Sequence, residues 1–370
     1  MQLGNVLHEL EQLAPPRLAE SWDNTGLLWG ETTHDVSRVM TCLTLTPDVA
    51  AEAIEAKANL IVTHHPMLFK AVQRVTSSTA EGQMLLQLSQ QGIAVYSPHT
   101  SWDNAPQGIN ALWAHLFHLQ DVRPLRANPA QRHCKVVTCV PQSALPAVQQ
   151  AVWEAGGGII GDYRCCSYYG TGTGTFQGNL NSHPAVGQAG QFEEVPEFRL
   201  EFICPLETVS VIVANLRRAH PYEEPGIDIY PLEPLNPKSD EGAGRFGSLE
   251  TPCSLAEFAQ RVQSFLTGAT LQVVGDPHQN VKTVGIACGA AADYLSDAQR
   301  ANCDVFLTGE ARFHACLDAR QKGIGLLLCG HYASERLGLE HLARLLAERL
   351  PSLTVWASER ESDPLWTVKD

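Results

Sequence analysis

The stretch VMTCLTLTPDVAAEAIEAKANLIVTHHP, residues 39–66, decides the fold. Val39–Leu45 is apolar and β-rich, the pattern of a strand. Pro47–Ala58 follows with helical spacing, and Pro47 sits near the first turn, where a missing N–H costs nothing. Asn59–Pro66 is a second apolar strand that ends in two histidines, His64 and His65. Downstream, residues 81–91 read as a helix. GIAVYSPHTSWD (92–103) reads as a further strand running out into polar residues. The order β-α-β-α-β predicts a largely parallel sheet covered by helices on both faces. Upstream, Leu7, Leu10 and Leu13 lie at helical spacing, and Pro15-Pro16 stops that helix. Trp22-Asp23-Asn24-Thr25-Gly26 then reads as a turn before a short strand ending near Trp29.

The same grammar returns after residue 280. VKTVGIAC, DVFLTGE, IGLLLCGH and LTVWAS read as strands. AADYLSDAQRA, ARFHACLDARQK and residues 333–349 read as helices. Laid over each other, Thr63-His64-His65 falls on Thr308-Gly309-Glu310, and His99-x-x-x-Asp103 falls on His331-x-x-x-Glu335. This points to a duplication, with two similar α/β lobes. Between them the order is strand (135–140), helix (145–156), Gly-rich hairpin (163–176), strand (197–205), helix (207–221) and strand (226–232). That is a ferredoxin-like βαββαβ order. The expected architecture is therefore two similar three-layer α/β lobes forming one metal-binding core, residues 1–128 and 237–370. A ferredoxin-like domain, residues 129–236, is inserted between them.

Composition narrows the function classes. At 370 residues the chain exceeds one ordinary core. Its 44% hydrophobic and 18% charged residues are those of a globular protein. No apolar run reaches the ~18 residues of a membrane span. The start, MQLGNVLHELEQLAPP, lacks the basic and apolar regions of a signal peptide. Eleven scattered cysteines without a CxxC pair indicate reduced thiols, hence a cytoplasmic protein. The net charge of −14 argues against a nucleic-acid partner, because phosphate contacts need clustered Lys and Arg.

Four strands end in groups able to bind metal: His64-His65, His99 with Asp103, Glu310 with His314, and His331 with Glu335. In open α/β sheets ligands gather at the carboxyl ends of strands. A lone His at a strand end is more often a satisfied core or surface residue; four such ends in one chain are not. Residues four apart on a helix share a face, so each i,i+4 pair is able to aim at one point. Adjacent strand residues point to opposite faces, but past the strand end both histidines are free to turn inward. Imidazole with carboxylate suits Zn, Fe, Mn or Ni. Three His and two carboxylates exceed one tetrahedral site and suffice for two ions, a known hydrolytic device.

Other features have plainer readings. Gly170–Thr175 (GTGTGT) lacks the Lys of a phosphate-binding loop and reads as a hairpin. His220-Pro-Tyr-Glu-Glu224 reads as a helix stop and domain contact. Cys165-Cys166 have no partner pair with which to hold a metal. Trp22, Asp23 and Asn24 are as consistent with a plain turn as with a pocket wall.

LIVTHHPMLF, SPHTSWDN, LTGEARFH and GHYASE resemble the four motifs of the Nif-three-like dinuclear metal centre family. Its bacterial members are often called GTP cyclohydrolase type-2 homologues. WDNTGLLWG fits its amino-terminal motif. GTGTGTF and PYEEPGIDIYPL resemble the inserted domain of its long members, which is similar to CutA and nitrogen-regulatory proteins. The resemblance covers nearly the whole chain. It implies His64, His65, Asp103, His331 and Glu335 as ligands of two divalent metal ions (Zn, Fe or Mn), with His99, Glu310 and His314 beside them. It also implies a ring-shaped homohexamer with the sites facing an internal cavity. One departure is visible: the family's usual HTNLD is His99-Thr100-Ser101-Trp102-Asp103 here, which keeps the ligand and reshapes its neighbours.

Two functions follow as expectations. The first is a metal-dependent hydrolase of a small molecule, a nucleotide such as GTP among the candidates. There the metals activate water to attack a purine ring or an ester, and His99, Glu310 and His314 handle protons. The second is a non-catalytic metal-binding, sensing or adaptor protein with the insert as its regulatory module.

Overall fold

The structure is a computed structural model. It describes residues 1–70, 74–128, 132–161, 163–233, 241–266 and 268–366. The chain divides into two compact units: Met1–Asn128 together with Ser239–Asp370, and Pro129–Lys238. The boundaries expected at 128/129 and 236/237 fall at residues 129–131 and 234–240, which lie outside the described residues.

The first unit holds two main sheets. One runs in the order Gly26–Trp29, Ala94–Ser97, Leu60–Thr63, Arg38–Cys42, Thr354–Ala357. Its last four strands are parallel, and Gly26–Trp29 closes one edge antiparallel. The other runs Gln272–Val274, Gly325–Leu328, Val305–Thr308, Asn280–Ala287, Arg245–Ser254, Gln120–Arg123. Its middle three strands are parallel. Both sheets thus carry three parallel strands in the same sequential order, with an antiparallel strand beside the last. That is the arrangement a duplication predicts.

The exchange of edge strands was not legible in the sequence. Thr354–Ala357, from the second half of the chain, pairs with Arg38–Cys42 of the first. Gln120–Arg123, from the first half, pairs with Arg245–Ser254 of the second. Each lobe completes the other's sheet.

Strand alternation explains the layering. Val39, Leu60, Val62 and Tyr96 from one sheet share a buried cluster with Val284, Ile286, Val305 and Leu307 from the other. The opposite faces carry separate clusters, around Met40, Ile61 and Val95 and around Phe306, Leu326 and Leu328. The shared layer also takes residues of the helices Leu3–Leu13, Ile109–Leu116, Leu255–Gln263 and His331–Arg349.

The second unit is a four-stranded antiparallel sheet in the order Ile227–Pro231, His133–Pro141, Phe192–Pro205, Tyr168–Gln177. The helices Leu145–Glu154 and Val209–Ala219 pack on it through Val148, Val152, Ile212 and Leu216. Its element order is the expected βαββαβ. Gly170–Thr175 forms the middle of a strand paired antiparallel with the next one, as a hairpin requires. No helix among the described residues is long and apolar enough to cross a membrane.

Candidate metal centre

The site is built where strands stop. Past Leu60–Thr63 the parallel ladder continues for two residues, with His64 N–H donating to Cys42 O and His65 N–H to Leu43 O, both at 2.9 Å. Ser97 Oγ donates to His64 O at 2.6 Å and pins that carbonyl. The strand Ala94–Ser97 leads into the short helix His99–Asn104, which carries His99 and Asp103 one turn apart. The strand Gly325–Leu328 leads through Gly330 into the helix His331–Arg349, with His331 and Glu335 on its first turn.

These residues converge. His65 Nε2 lies 3.1 Å from Glu335 Oε2, and His331 Nε2 lies 3.2 Å from the same oxygen. His64 Nε2 is 3.6 Å from Asp103 Oδ1, beyond a hydrogen bond. Donor atoms of His64, His65 and His99 lie within 4.8 Å of one another, and so do those of His65, His331 and Glu335. His65 belongs to both groups, so the donors form one continuous cluster.

Outer partners orient the rings. Thr44 Oγ1 meets His65 Nδ1 at 2.8 Å, Glu310 Oε1 accepts from His331 Nδ1 at 3.0 Å, and Asp23 Oδ1 accepts from His99 Nδ1 at 2.7 Å. Holding Nδ1 leaves Nε2 as the free donor atom, the arrangement of metal-binding histidines. His99 adopts φ +31°, an unfavourable conformation for a side chain this size. Asp23 also accepts from Thr100 N–H at 3.1 Å and from the Thr100 hydroxyl. Glycine is required behind Glu335: Gly289 has φ +70°, and a Cβ there would lie 2.0 Å from Glu335 Oε1.

The electrostatics of the cluster call for cations. Six buried side-chain polar atoms among the described residues have no hydrogen-bond partner, and four are here: His64 Nδ1 and Nε2, Asp103 Oδ1 and His331 Nε2. Such orphans are costly unless a ligand or ion satisfies them. Burial pushes His64 well below its ordinary pKa, so it is a neutral donor. Burial, then the nearby Glu335, pushes Asp103 well above the carboxylate range. Burial also opposes the charge on Glu335, but the His331 and His65 rings beside it hold it below the usual range. His331 is raised to about 9, first by the Glu335 carboxylate beside its ring. Imidazoles and buried carboxylates at this spacing fit borderline divalent ions.

Of the residues singled out in the sequence, His64, His65, His99, Asp103, His331 and Glu335 come together. Glu310 stands behind His331 as an orienting acceptor. It precedes the helix Phe313–Lys322 and so shares no helical face with His314. His314 contacts the Phe313 ring and does not line the cavity at the cluster. Asp23 is resolved as a site residue rather than a plain turn former. Thr44 and Gly289 carried no sequence signal beyond proximity to a motif, and Phe69 closes the motif LIVTHHPMLF without marking itself as a cavity residue. The cavity over the cluster has a volume of about 430 Å³. Trp22 and Phe69 stand on one side of it and Tyr294 on the lobe opposite.

Comparison with known proteins follows the same lines. The profile of the family described as Duf34/NIF3 (NGG1p interacting factor 3) matches residues 1–364. A protein of Halalkalibacterium halodurans named "GTP cyclohydrolase 1 type 2 homolog" is 33% identical over 370 residues, covering 98% of this chain and 99% of its own. The protein of that name from Bacillus subtilis is 31% identical over 363 residues, covering 97% and 96%. The crystal structure of a Bacillus cereus protein related to NIF3 superposes with a TM-score of 0.77 at 30% identity, covering 100% of this chain and 99% of that one.

Proposed function

The chain belongs to the Duf34/NIF3 family, and from that premise we propose that it is a dinuclear-metal-dependent hydrolase of a small molecule. His64, His65, Asp103, His331 and Glu335 are the ligands in this reading. The observation that carries it is the set of four buried, unpartnered polar atoms on His64, Asp103 and His331. Two divalent ions, Zn, Fe or Mn, would supply Lewis acidity and an activated water at neutral pH.

The protein's own groups divide the remaining work. Glu335 Oε2, 3.1 Å from His65 Nε2 and 3.2 Å from His331 Nε2, would help to hold the ions. Thr44, Glu310 and Asp23 hold the imidazoles in register. His99, with Nδ1 held by Asp23, presents Nε2 toward the cluster and is the candidate for moving a proton. His314, which does not line the cavity, has no part in this reading.

The relatives' name makes GTP the first substrate to try, and the reading extends to a cytoplasmic homohexamer. The test is elemental analysis of purified protein with hydrolysis assays on GTP and a phosphoester panel, repeated for Glu335→Ala and His64→Ala. About two metals per chain are expected, falling below one in either variant, with turnover lost alongside. Full occupancy in both variants would refute the ligand set. Full occupancy with no turnover on any substrate would favour the metal-sensing alternative.

A further inference from the structure

Three aromatic rings meet at the mouth of the cavity in nearly perpendicular planes. Trp22 and Phe69 are 6.1 Å apart at 78°, Trp22 and His99 are 6.2 Å apart at 77°, and Phe69 and His99 are 6.3 Å apart at 85°. Trp22 is 61% and Phe69 52% exposed, yet neither sits on a loose tip. Asn24 Nδ2 donates to Leu68 O at 2.8 Å, tying the two loops together. Asp23 ties the Trp22 loop to His99 and Thr100, and Glu20 N–H donates to Thr100 Oγ1 at 3.0 Å. Held apolar surface at the mouth of a cavity marks a ligand site.

We propose that Trp22 and Phe69, with His99, form an aromatic corner that selects a flat, uncharged nitrogen heterocycle and lays it against the metal cluster. A ring stacked on one wall of such a corner meets the other two edge to face, and both geometries are favoured. Asp103, which lines the cavity, also carries a buried oxygen without a hydrogen-bond partner. Charge sets the class. Among the described residues lining the cavity there is no Lys or Arg, whereas Glu20, Asp103 and Glu335 all border it. The walls therefore offer a phosphate no Lys or Arg, and the ring of a nucleoside is what the aromatic corner recognises. The small residues Ala287, Ala290 and Ala291 leave room opposite, and about 430 Å³ accommodates a purine nucleoside.

The inference rests on reading this cavity as a substrate site, and its test is kept separate from the metal. Guanosine and GTP are titrated calorimetrically into full-length protein, metal-loaded and chelator-stripped. The same titrations are run on Trp22→Ala, Phe69→Ala and Trp22→Phe, with metal content and circular dichroism measured on every sample. Saturable guanosine binding is expected in both metal states. It should weaken about tenfold or more in each alanine variant, as lost base stacking implies, and change little in Trp22→Phe. GTP should bind no more tightly than guanosine to stripped protein. Absence of guanosine binding to wild type, equal binding by the alanine variants, or binding only when metal is present would each overturn the proposal. Failure of the metal reading shows instead as low metal content, with guanosine binding intact.

Discussion

At the scale of single residues, three of the site's four histidines, His65, His99 and His331, are each held through Nδ1 by an outer contact. Asp23 illustrates it: its side chain is inaccessible, and three donors from His99 and Thr100 converge on it. Burial works against its charge, but these hydrogen bonds lower its pKa to about 2. The stability it contributes is therefore present above the ordinary carboxylate value of 3.8 and fades as the pH falls toward 2. Asp23→Ala should cost about 1–3 kcal/mol in urea titrations at pH 7, and part of that difference should vanish in wild type below about pH 4. Gly289→Ala should act differently. A Cβ pressed on Glu335 in a left-handed conformation would displace the carboxylate, so metal content should fall even where circular dichroism is unchanged. His64 and Glu335 were legible as ligand types from the sequence. Gly289 was not, because what it must avoid is a side chain 46 residues away.

Elements show why motifs read well and partners read poorly. The strands Leu60–Thr63 and Val305–Thr308 are fully buried apolar runs, recognisable from hydrophobicity alone. Their ends carry the chemistry because helices cover both faces and leave only the strand tips open. The pair Glu310 and His314 fails as a helical i,i+4 unit because the helix starts at Phe313, after Glu310. Spacing predicts a shared face only once the helix boundary is known. In the inserted unit, His220 closes the helix Val209–Ala219 and is buried. Its Nε2–H donates to Cys139 O at 3.0 Å, and its Nδ1 accepts from Tyr222 N–H at 3.1 Å. Burial lowers its pKa below the ordinary 6.5. The unfolded chain then binds the proton more readily, so this stability is complete above pH 6.5 and lost as the pH falls through it. Hydrogen-exchange protection at His133–Pro141 and Val209–Ala219, taken relative to the intrinsic exchange rate, should fall between pH 7.5 and 5.5. In His220→Gln the pH step should be smaller.

Over the whole molecule, the first unit is a single cooperative body made from two distant segments. The buried Arg245 guanidinium shows the coupling: it donates to Gly242 O and Gly244 O at 2.6 Å and to Ala105 O at 2.7 Å. Glu361 accepts from Leu43 N–H at 2.9 Å and from Thr44 N–H at 2.6 Å, next to His65's orienting hydroxyl. A fragment of residues 1–128 lacks the strand Thr354–Ala357 and half of the shared core. It should be largely unfolded by NMR, and co-expression with residues 241–370 should restore dispersion. If the fragment folds alone, the strand exchange is not what couples the halves. The sequence by itself determined the α/β alternation, the βαββαβ insert and the ligand types at strand ends. These depend on periodicity and side-chain chemistry, which are local. Only the tertiary structure decided that the lobes trade edge strands, that Asp23 and Glu310 orient the histidines, and that Trp22 meets Phe69 over the cavity. Those contacts join residues from 21 to more than 300 positions apart, and no local pattern encodes which distant backbone will lie alongside.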